Sequence, residues 1–433
     1  MTADSNRPSG GPDTAGSVTA GRDTTDSVVA GHVAILGAGP IGLDAALACS
    51  AAGWSFTLYE AGDSVAAHVR AWQHARMFTP WSLNVSPRMR DRLQGAGHHV
   101  PDGDAVPSGA ELITDLLDPL AALPEIRTHL NLQAQVTAIA RQGLLKHEQI
   151  GTDTRAARPF RLLIDTPDGE TAASAELVLD CTGTYGVANT IGEGGIPAPG
   201  ERHTRIVHTL PDTNDPERWS GVVVLVGAGK SAQTAARDLG ALPHTQVEWI
   251  VRAEDPDWGQ VENDSLPGRH QLVTTSQALT RGDNPQVTVR TGTYVASLDD
   301  HADRVRVGLT NAFGSVEYVE ADHVIGLTGY TGDASIYRQL QVHECYATAA
   351  PIALSAVLLG SQSNDCLAQP AVGFDVLRNP EPHFYILGSK SYGRLNTFLL
   401  RSGYEQVSDL IAAYTRPLAP SADPLRTTVE GAS

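Results

Sequence analysis

Residues 32–42 read HVAILGAGPIG, and residues 222–232 read VVVLVGAGKSA. Each is an apolar, β-branched run that enters a Gly-x-Gly turn and leads into a helical pattern. The three small residues of such a unit have separate tasks. The first glycine makes a tight turn, the second lets the backbone approach a pyrophosphate, and the third lets helix pack on strand. The helix start then presents unpaired N–H groups and the positive end of its dipole. One copy is a weak signal. Two copies about 190 residues apart, each completed downstream, predict two dinucleotide sites in one polypeptide. Gly229-Lys230-Ser231 does not belong to a nucleoside-triphosphatase loop, because the glycine required five residues before Gly229 is Val224.

The completing residues differ in charge. After the first turn the helical pattern runs through Ala45–Ala52 and stops at Gly53. The strand Ser55–Tyr59 then ends in Glu60, 23 residues after Gly37. An acid there accepts hydrogen bonds from both ribose hydroxyls, which suits FAD or NAD. After the second turn the helix runs to about Leu239, and the strand Val247–Val251 ends in Arg252, 25 residues after Gly227. A cation there pairs with a 2′-phosphate, which suits NADPH. A solvated strand-end arginine is the alternative reading.

A chain of 433 residues has room for two or three domains. The formal charge of −18 argues against nucleic acid and anionic membrane surfaces as partners. No apolar run reaches the length of about 18 that spans a membrane. The start of the chain has no basic-then-apolar secretory pattern, so a cytoplasmic location is expected. The four cysteines, Cys49, Cys181, Cys345 and Cys366, contain no C-x-x-C pair. This fits a reducing compartment and removes the simplest dithiol chemistry. A homo-oligomer is compatible with the sequence.

Residues 1–30 are mostly Thr, Ser, Gly, Asp and Ala, and read as a disordered tail. Residues 175–186 (AELVLDCTGTYG) and 321–332 (ADHVIGLTGYTG) echo each other: an acidic-led buried strand, then Thr-Gly and a second glycine. Such turns are where a chain leaves one domain for another, and these two bracket the second Gly-x-Gly unit. The expected fold is α/β, with two Rossmann-like dinucleotide-binding domains, the second inserted into the first. The boundaries are 31–210 and 325–415 for the first domain, 211–324 for the insert, and 416–433 for a flexible tail. Residues 187–220 read as the outgoing linker, His301–Tyr318 as a hairpin, and Thr397–Tyr414 as an amphipathic helix.

With these residues in hand, the chain resembles the two-dinucleotide-binding-domain flavoproteins, particularly the flavin-containing and N-hydroxylating monooxygenases, over about residues 32–414. In that group the first motif binds FAD and the inserted one NADPH. The resemblance implies FAD contacts from Gly37, Gly39, Pro40, Ile41, Gly42, Glu60 and Ala61 around the first turn. Trp72, Val136, Thr182, Gly183, Gly388, Asn396 and Thr397 complete that set. It implies NADPH contacts from Gly227, Gly229, Lys230, Ser231, Ala232, Arg252, Thr328 and Gly329. His208-Thr209 followed by Trp219-Ser220-Gly221 is similar to the histidine-bearing lead-in of the group. Arg202 and Thr204 stand where the monooxygenase signature has Phe and Gly, and Ser389 where many relatives carry Asp. The stretch FYILGSKSYGRLNTFLLRSGYEQV resembles the loop and helix that close over the flavin, with the helix starting near Asn396-Thr397.

The reaction so implied is reduction of FAD by NADPH, addition of dioxygen to give a flavin C4a-peroxide, and oxygen transfer to nitrogen or sulfur of a small metabolite. An NAD(P)H-dependent flavoprotein reductase or dehydrogenase is the alternative, and a non-enzymatic flavin-binding protein a third. In the resembling families residues 72–86 run along the flavin, so Trp72, Gln73, Met77, Trp81 and Asn84 are candidates for its wall. Core packing is the competing reading for each tryptophan. Arg70, Arg76, Arg88 and Arg90 lie nearby and are candidates for an anionic substrate or for solvated positions. Lys390 and Tyr392 are candidates for the substrate pocket. The spacing of His343, Cys345, Asp365 and Cys366 is not a standard zinc pattern, and no metal is expected.

Overall fold

The computed structural model describes residues 31–301, 303–361, 365–369 and 372–415. The tails expected at 1–30 and 416–433 lie outside the described residues. Two parallel sheets carry the two Gly-x-Gly turns. The first has the order Phe384–Ile386, Leu177–Asp180, His32–Leu36, Ser55–Tyr59, Leu130–Asn131. It is covered on both faces, so its strands Phe384–Ile386, Leu177–Asp180 and His32–Leu36 are nearly continuous apolar runs, while Ser55–Tyr59 toward the edge alternates. One face packs on the helices Pro40–Ala51 and Leu400–Thr415. The other packs on an antiparallel sheet of Gln135–Arg141, Phe160–Thr166 and Gly169–Ala175.

The second sheet has the order Val287–Arg290, Thr245–Ile250, Gly221–Val226, His323–Gly326. All of its strands lie in sequence between Leu177–Asp180 and Phe384–Ile386 of the first, so the second unit is inserted into the first. His323–Gly326 straddles the boundary expected at 324/325. It pairs with Gly221–Val226 in the second sheet, and the return therefore begins at Leu327. The helices Lys230–Leu239 and Pro267–Thr280 cover one face. The expected hairpin covers the other as Arg304–Asn311 and Val316–Ala321, with Thr293–His301 as a third antiparallel strand.

The two echoing segments end on facing rims and pair with each other. Asn189 N–H donates to Gly329 O at 3.0 Å, and Thr331 N–H to Val187 O at 2.9 Å. Thr328 Oγ1 donates to Asn189 O at 2.7 Å, and the Tyr185 and Tyr330 rings lie 4.7 Å apart. The outgoing and returning chains thus form one short ribbon between the two units.

The helix Pro40–Ala51 begins directly at the turn, with Pro40 in the first helical position, where a missing N–H costs nothing. It is buried between the sheet and the last helix, whose Gly403 admits Ile41: a Cβ there would press on Ile41 Cδ1. That last helix starts at Leu400, not near Asn396-Thr397. Asn396 lies on an exposed loop, and Thr397 is buried beside it. No helix among the described residues is long and apolar enough to cross a membrane.

Candidate functional site

At the first turn Gly37 has φ +91°, a conformation that favours glycine. Its N–H donates to Tyr59 O at 2.7 Å, and an added Cβ would lie 2.8 Å from Cys181 O. A Cβ on Gly42 would overlap Gly37 O, so helix and turn pack without room for a side chain. Gly39 is different. A Cβ there meets nothing within 4 Å. Gly39 also caps the helix without offering a side-chain acceptor. The turn is therefore an open cradle at a helix N-terminus, the arrangement a pyrophosphate fits. Glu60, buried at the end of its strand, accepts from Ala38 N–H at 2.8 Å and Gly62 N–H at 2.9 Å. Each carboxylate oxygen keeps a lone pair for a ribose hydroxyl.

Other residues of the expected FAD set reach the same rim. Thr182 Cα sits 3.0 Å from the Cβ built on Gly37, and Ser389 Oγ 3.5 Å from that built on Gly183. Gly388 faces Ile41 of the helix start, and its N–H donates to Gln406 Oε1 at 2.8 Å. Val136 is buried in a strand entered from Ala134, whose N–H donates to Glu60 O at 2.8 Å. Ala61 is exposed beside Glu60.

Lys390 does not line open space, whereas Tyr392, though buried, borders a small cleft with Val372, Arg401, Ser402 and Asp409. The Lys390 ammonium lies 2.6 Å from Asp180 Oδ2 and 3.1 Å from Thr182 Oγ1, and all three atoms are drawn from the rim itself. Lys390 and Asp180 are both buried, so the pair braces the end of the strand Leu177–Asp180. Tyr392 is buried with its ring edge-on to Phe398.

The segment 72–86 divides in two. Trp81 belongs to the core, and Asn84 is held by Thr79, with Thr79 Oγ1 donating to Asn84 Oδ1 at 2.8 Å. These two are packing residues, not a wall. Gln73 is exposed and Met77 half-buried. Trp72 packs its six-membered ring on Gly109, while its indole Nε1 is buried with no hydrogen-bond partner. His74 Nε2 is orphaned in the same way, and sequence reasoning did not single it out. Orphaned buried donors are rare in folded proteins and mark a missing partner. The four nearby arginines are engaged: Arg70 with Asp118, Arg76 with Val106 O, Arg88 with Asp44 and Arg90 with Asp102. Trp72→Phe removes the orphaned donor while keeping the ring. The cofactor-free protein should melt no lower than wild type, and FAD should bind about fivefold more weakly, the equivalent of about 1 kcal/mol. Equal FAD affinity in a titration would remove Trp72 from the site.

The second turn repeats the first. Gly227 has φ +130° with its N–H on Ile250 O at 3.1 Å, and Gly229 faces open space. Ala232 is fully buried beneath the helix start, and Ser231 is exposed. Thr328 and Gly329 follow Leu327, whose carbonyl crowds Gly227. Arg252 is exposed, two residues past the strand Thr245–Ile250, and among the described residues it has no ion-pair partner. Lys230 lies closer in. Its ammonium donates to Trp258 O at 2.7 Å and Gly259 O at 3.3 Å. Burial, reinforced by the charge of Arg269, pulls it down to about 8 against the opposing pull of Asp264 and Asp257. His208 Nδ1 lies 3.0 Å from Gly326 O, which only accepts, so Nδ1 is the donor in this contact. Trp249, whose Nε1 donates to Gly227 O at 2.8 Å and whose ring lies 4.7 Å from that of Trp258, is a further support of this turn that no sequence motif announced.

No family model and no curated protein matches the chain. Solved structures do. The bacillithiol disulfide reductase of Bacillus cereus is 16% identical over 88% of this chain and 97% of its own, with a TM-score of 0.63. The cadaverine monooxygenase of desferrioxamine biosynthesis from Erwinia amylovora, bound to FAD, is 14% identical over 93% of this chain and 98% of its own, with a TM-score of 0.59. The ornithine N-hydroxylase of Kutzneria sp. 744, with reduced FAD, NADP+ and L-ornithine, is 17% identical over 88% and 98%, with a TM-score of 0.53. The chain has the fold of the two-domain, dinucleotide-binding Rossmann oxidoreductases.

Proposed function

We propose that this chain is an FAD-dependent, NADPH-reduced oxidoreductase that oxygenates nitrogen or sulfur of a small metabolite. The observation that carries the oxidoreductase reading is the pair of open glycine cradles, at Gly39 and Gly229, on two sheets joined by a single ribbon. Gly37, Gly39, Gly42 and Glu60 would hold FAD, with Trp72 and His74 offering buried ring nitrogens. Gly227, Gly229, Lys230 and Arg252 would hold NADPH. Bound FAD would supply the redox chemistry between nicotinamide and dioxygen. The chain's own part is to place the two nucleotides and to exclude water, with Met77 and the Trp72 ring as the apolar side of the site.

The thiols favour oxygen transfer over disulfide reduction. All four cysteines are free. Burial pushes Cys49 up to about 12, and lifts Cys181 and Cys366 as well, so these three resist becoming the thiolate that disulfide exchange requires. Cys345, held below its usual value by the Thr348 and Ala347 N–H groups, has no second thiol in that role. The ornithine hydroxylase and the cadaverine monooxygenase share this fold, and each is named for a small amine.

The test is a two-step experiment. The protein is reduced with NADPH without oxygen, then mixed with aerated buffer and a panel of small amines and thioethers. Oxygenated product in proportion to NADPH consumed is the expected result. Recovery of all electrons as hydrogen peroxide with every compound would replace oxygenation with a reductase. No flavin reduction by NADPH or NADH would leave a flavin-binding protein.

A further inference from the structure

We propose that Arg269 is a positioning residue that clamps the inserted nucleotide domain against the flavin domain, and so sets the distance between nicotinamide and flavin. Its role in hydride transfer rests on the function proposed above; the clamp itself does not.

Arg269 stands in the first turn of the helix Pro267–Thr280, where the helix dipole disfavours a cation. It is buried there, so its partners must hold it. Asp264 of the same domain takes two of its bonds, Nε to Oδ2 and Nη2 to Oδ1, both at 2.7 Å. The remaining contacts cross the domain boundary. Nη2 lies 3.0 Å from Asp365 Oδ1, and Nη1 lies 3.1 Å from Cys366 Sγ. Both residues belong to the chain that has returned to the first domain.

An apolar seal surrounds this charge. Leu266, Cys366 and Leu399 form a buried cluster, with Phe78 and Leu367 packed against it. Leu266 comes from the insert and the others from the flavin domain. Gly268, one residue before Arg269, faces Phe78 Cδ1 at 3.5 Å from a built Cβ. Phe78 follows Met77 in the segment beside the flavin site, and Leu399 ends the loop before the last helix. The clamp therefore closes on two segments that border the site.

The only covalent links between the domains are the two strands of the linker ribbon. A two-stranded ribbon bends and twists, and by itself leaves the insert free to swing. A nicotinamide carried on the insert must approach the flavin to about 3–3.5 Å for hydride transfer. Any time the insert spends swung away subtracts from the competent population in direct proportion.

Asp365→Ala is the informative variant. Arg269 stays neutralised by Asp264, so no buried charge is stranded, and Arg269→Lys serves as a second, gentler variant. In cofactor-free protein, we expect faster hydrogen exchange at the start of Pro267–Thr280 and in the ribbon segments 185–191 and 327–331, with the rest unchanged. In holoprotein, NADPH affinity and FAD content should stay as in wild type, while flavin reduction at saturating NADPH slows by about tenfold. Folded variants with wild-type exchange in these segments would overturn the clamp. Faster exchange with an unchanged reduction rate would overturn its role in positioning the nicotinamide. Because the exchange measurement uses no cofactor, it stands even if the chain proves not to reduce flavin at all.

Discussion

Gly39→Val is expected to give a folded protein that purifies without flavin. The native φ of Gly39 is −80°, with ψ near −173°, an extended conformation that valine adopts freely. A Cβ there meets no protein atom within 4 Å, so the substitution does not disturb the fold. What it occupies is the space where a pyrophosphate would meet the helix N-terminus. Charge-assisted hydrogen bonds contribute about 1.5–3 kcal/mol each, and losing two of them weakens FAD by at least about 100-fold. Gly37→Ala is the contrasting control. Its φ is +91° and its Cβ would press on Cys181 O, so that variant should lose stability rather than only cofactor. The readouts are far-ultraviolet circular dichroism, melting temperature and the visible flavin spectrum. A Gly39→Val protein that melts like wild type and carries a full complement of FAD would end the assignment of the first cradle.

The cradles were legible because backbone chemistry leaves few alternatives. A strand that turns sharply into a helix needs positive φ at its first turn residue, and Gly37 and Gly227 both have it. The paired Thr-Gly segments were legible for a related reason: each ends a strand at the rim of its sheet, and the two rims face each other. Side-chain roles were less accessible. Trp72 and Trp81 are nine residues apart in an irregular segment with no period to assign a face, and only the structure separates an orphaned indole from a core one. Lys390 is a pocket candidate by its place in the C-terminal loop, but it pairs with Asp180, 210 residues away in sequence. The same holds for Arg269, whose partner Asp365 is 96 residues distant. The antiparallel sheet on the first domain is not legible in the sequence, because its outer strand Gly169–Ala175 has small, largely exposed side chains and no apolar alternation. The buried triad that fastens this sheet to the segment leading into the strand Phe384–Ile386 is another long-range feature. Arg141 and Arg155 converge on Glu381, and hold its carboxyl below the usual range although burial pushes it up.

NADPH affinity should weaken as pH rises from 7 to 9, and a single lysine should account for the slope. Two cations are available to the nucleotide. Arg252 is an exposed guanidinium past the end of its strand. Lys230, at the helix start, loses its proton at about 8, because burial and Arg269 outweigh Asp264 and Asp257. Its present partners, the carbonyls of Trp258 and Gly259, are neutral, so its charge is available to a phosphate. Below pH 8 the ammonium is present and contributes. Above it the charge is lost, and binding must take up a proton to restore it. One group titrating at this position weakens binding by up to about tenfold across the next pH unit. The 2′-phosphate, with a second pKa near 6, is already ionised and adds no slope of its own. The two cations separate cleanly by substitution. Lys230→Met should flatten the profile while keeping a preference for NADPH over NADH. Arg252→Ala should keep the slope but lose the preference, by roughly 10- to 150-fold if the arginine makes a charge-assisted pair with the 2′-phosphate. Both are read from equilibrium titrations of NADPH and NADH against the flavin spectrum at fixed ionic strength. An unchanged slope in Lys230→Met would place the titrating group elsewhere. An unchanged preference in Arg252→Ala would return that residue to a solvated strand end.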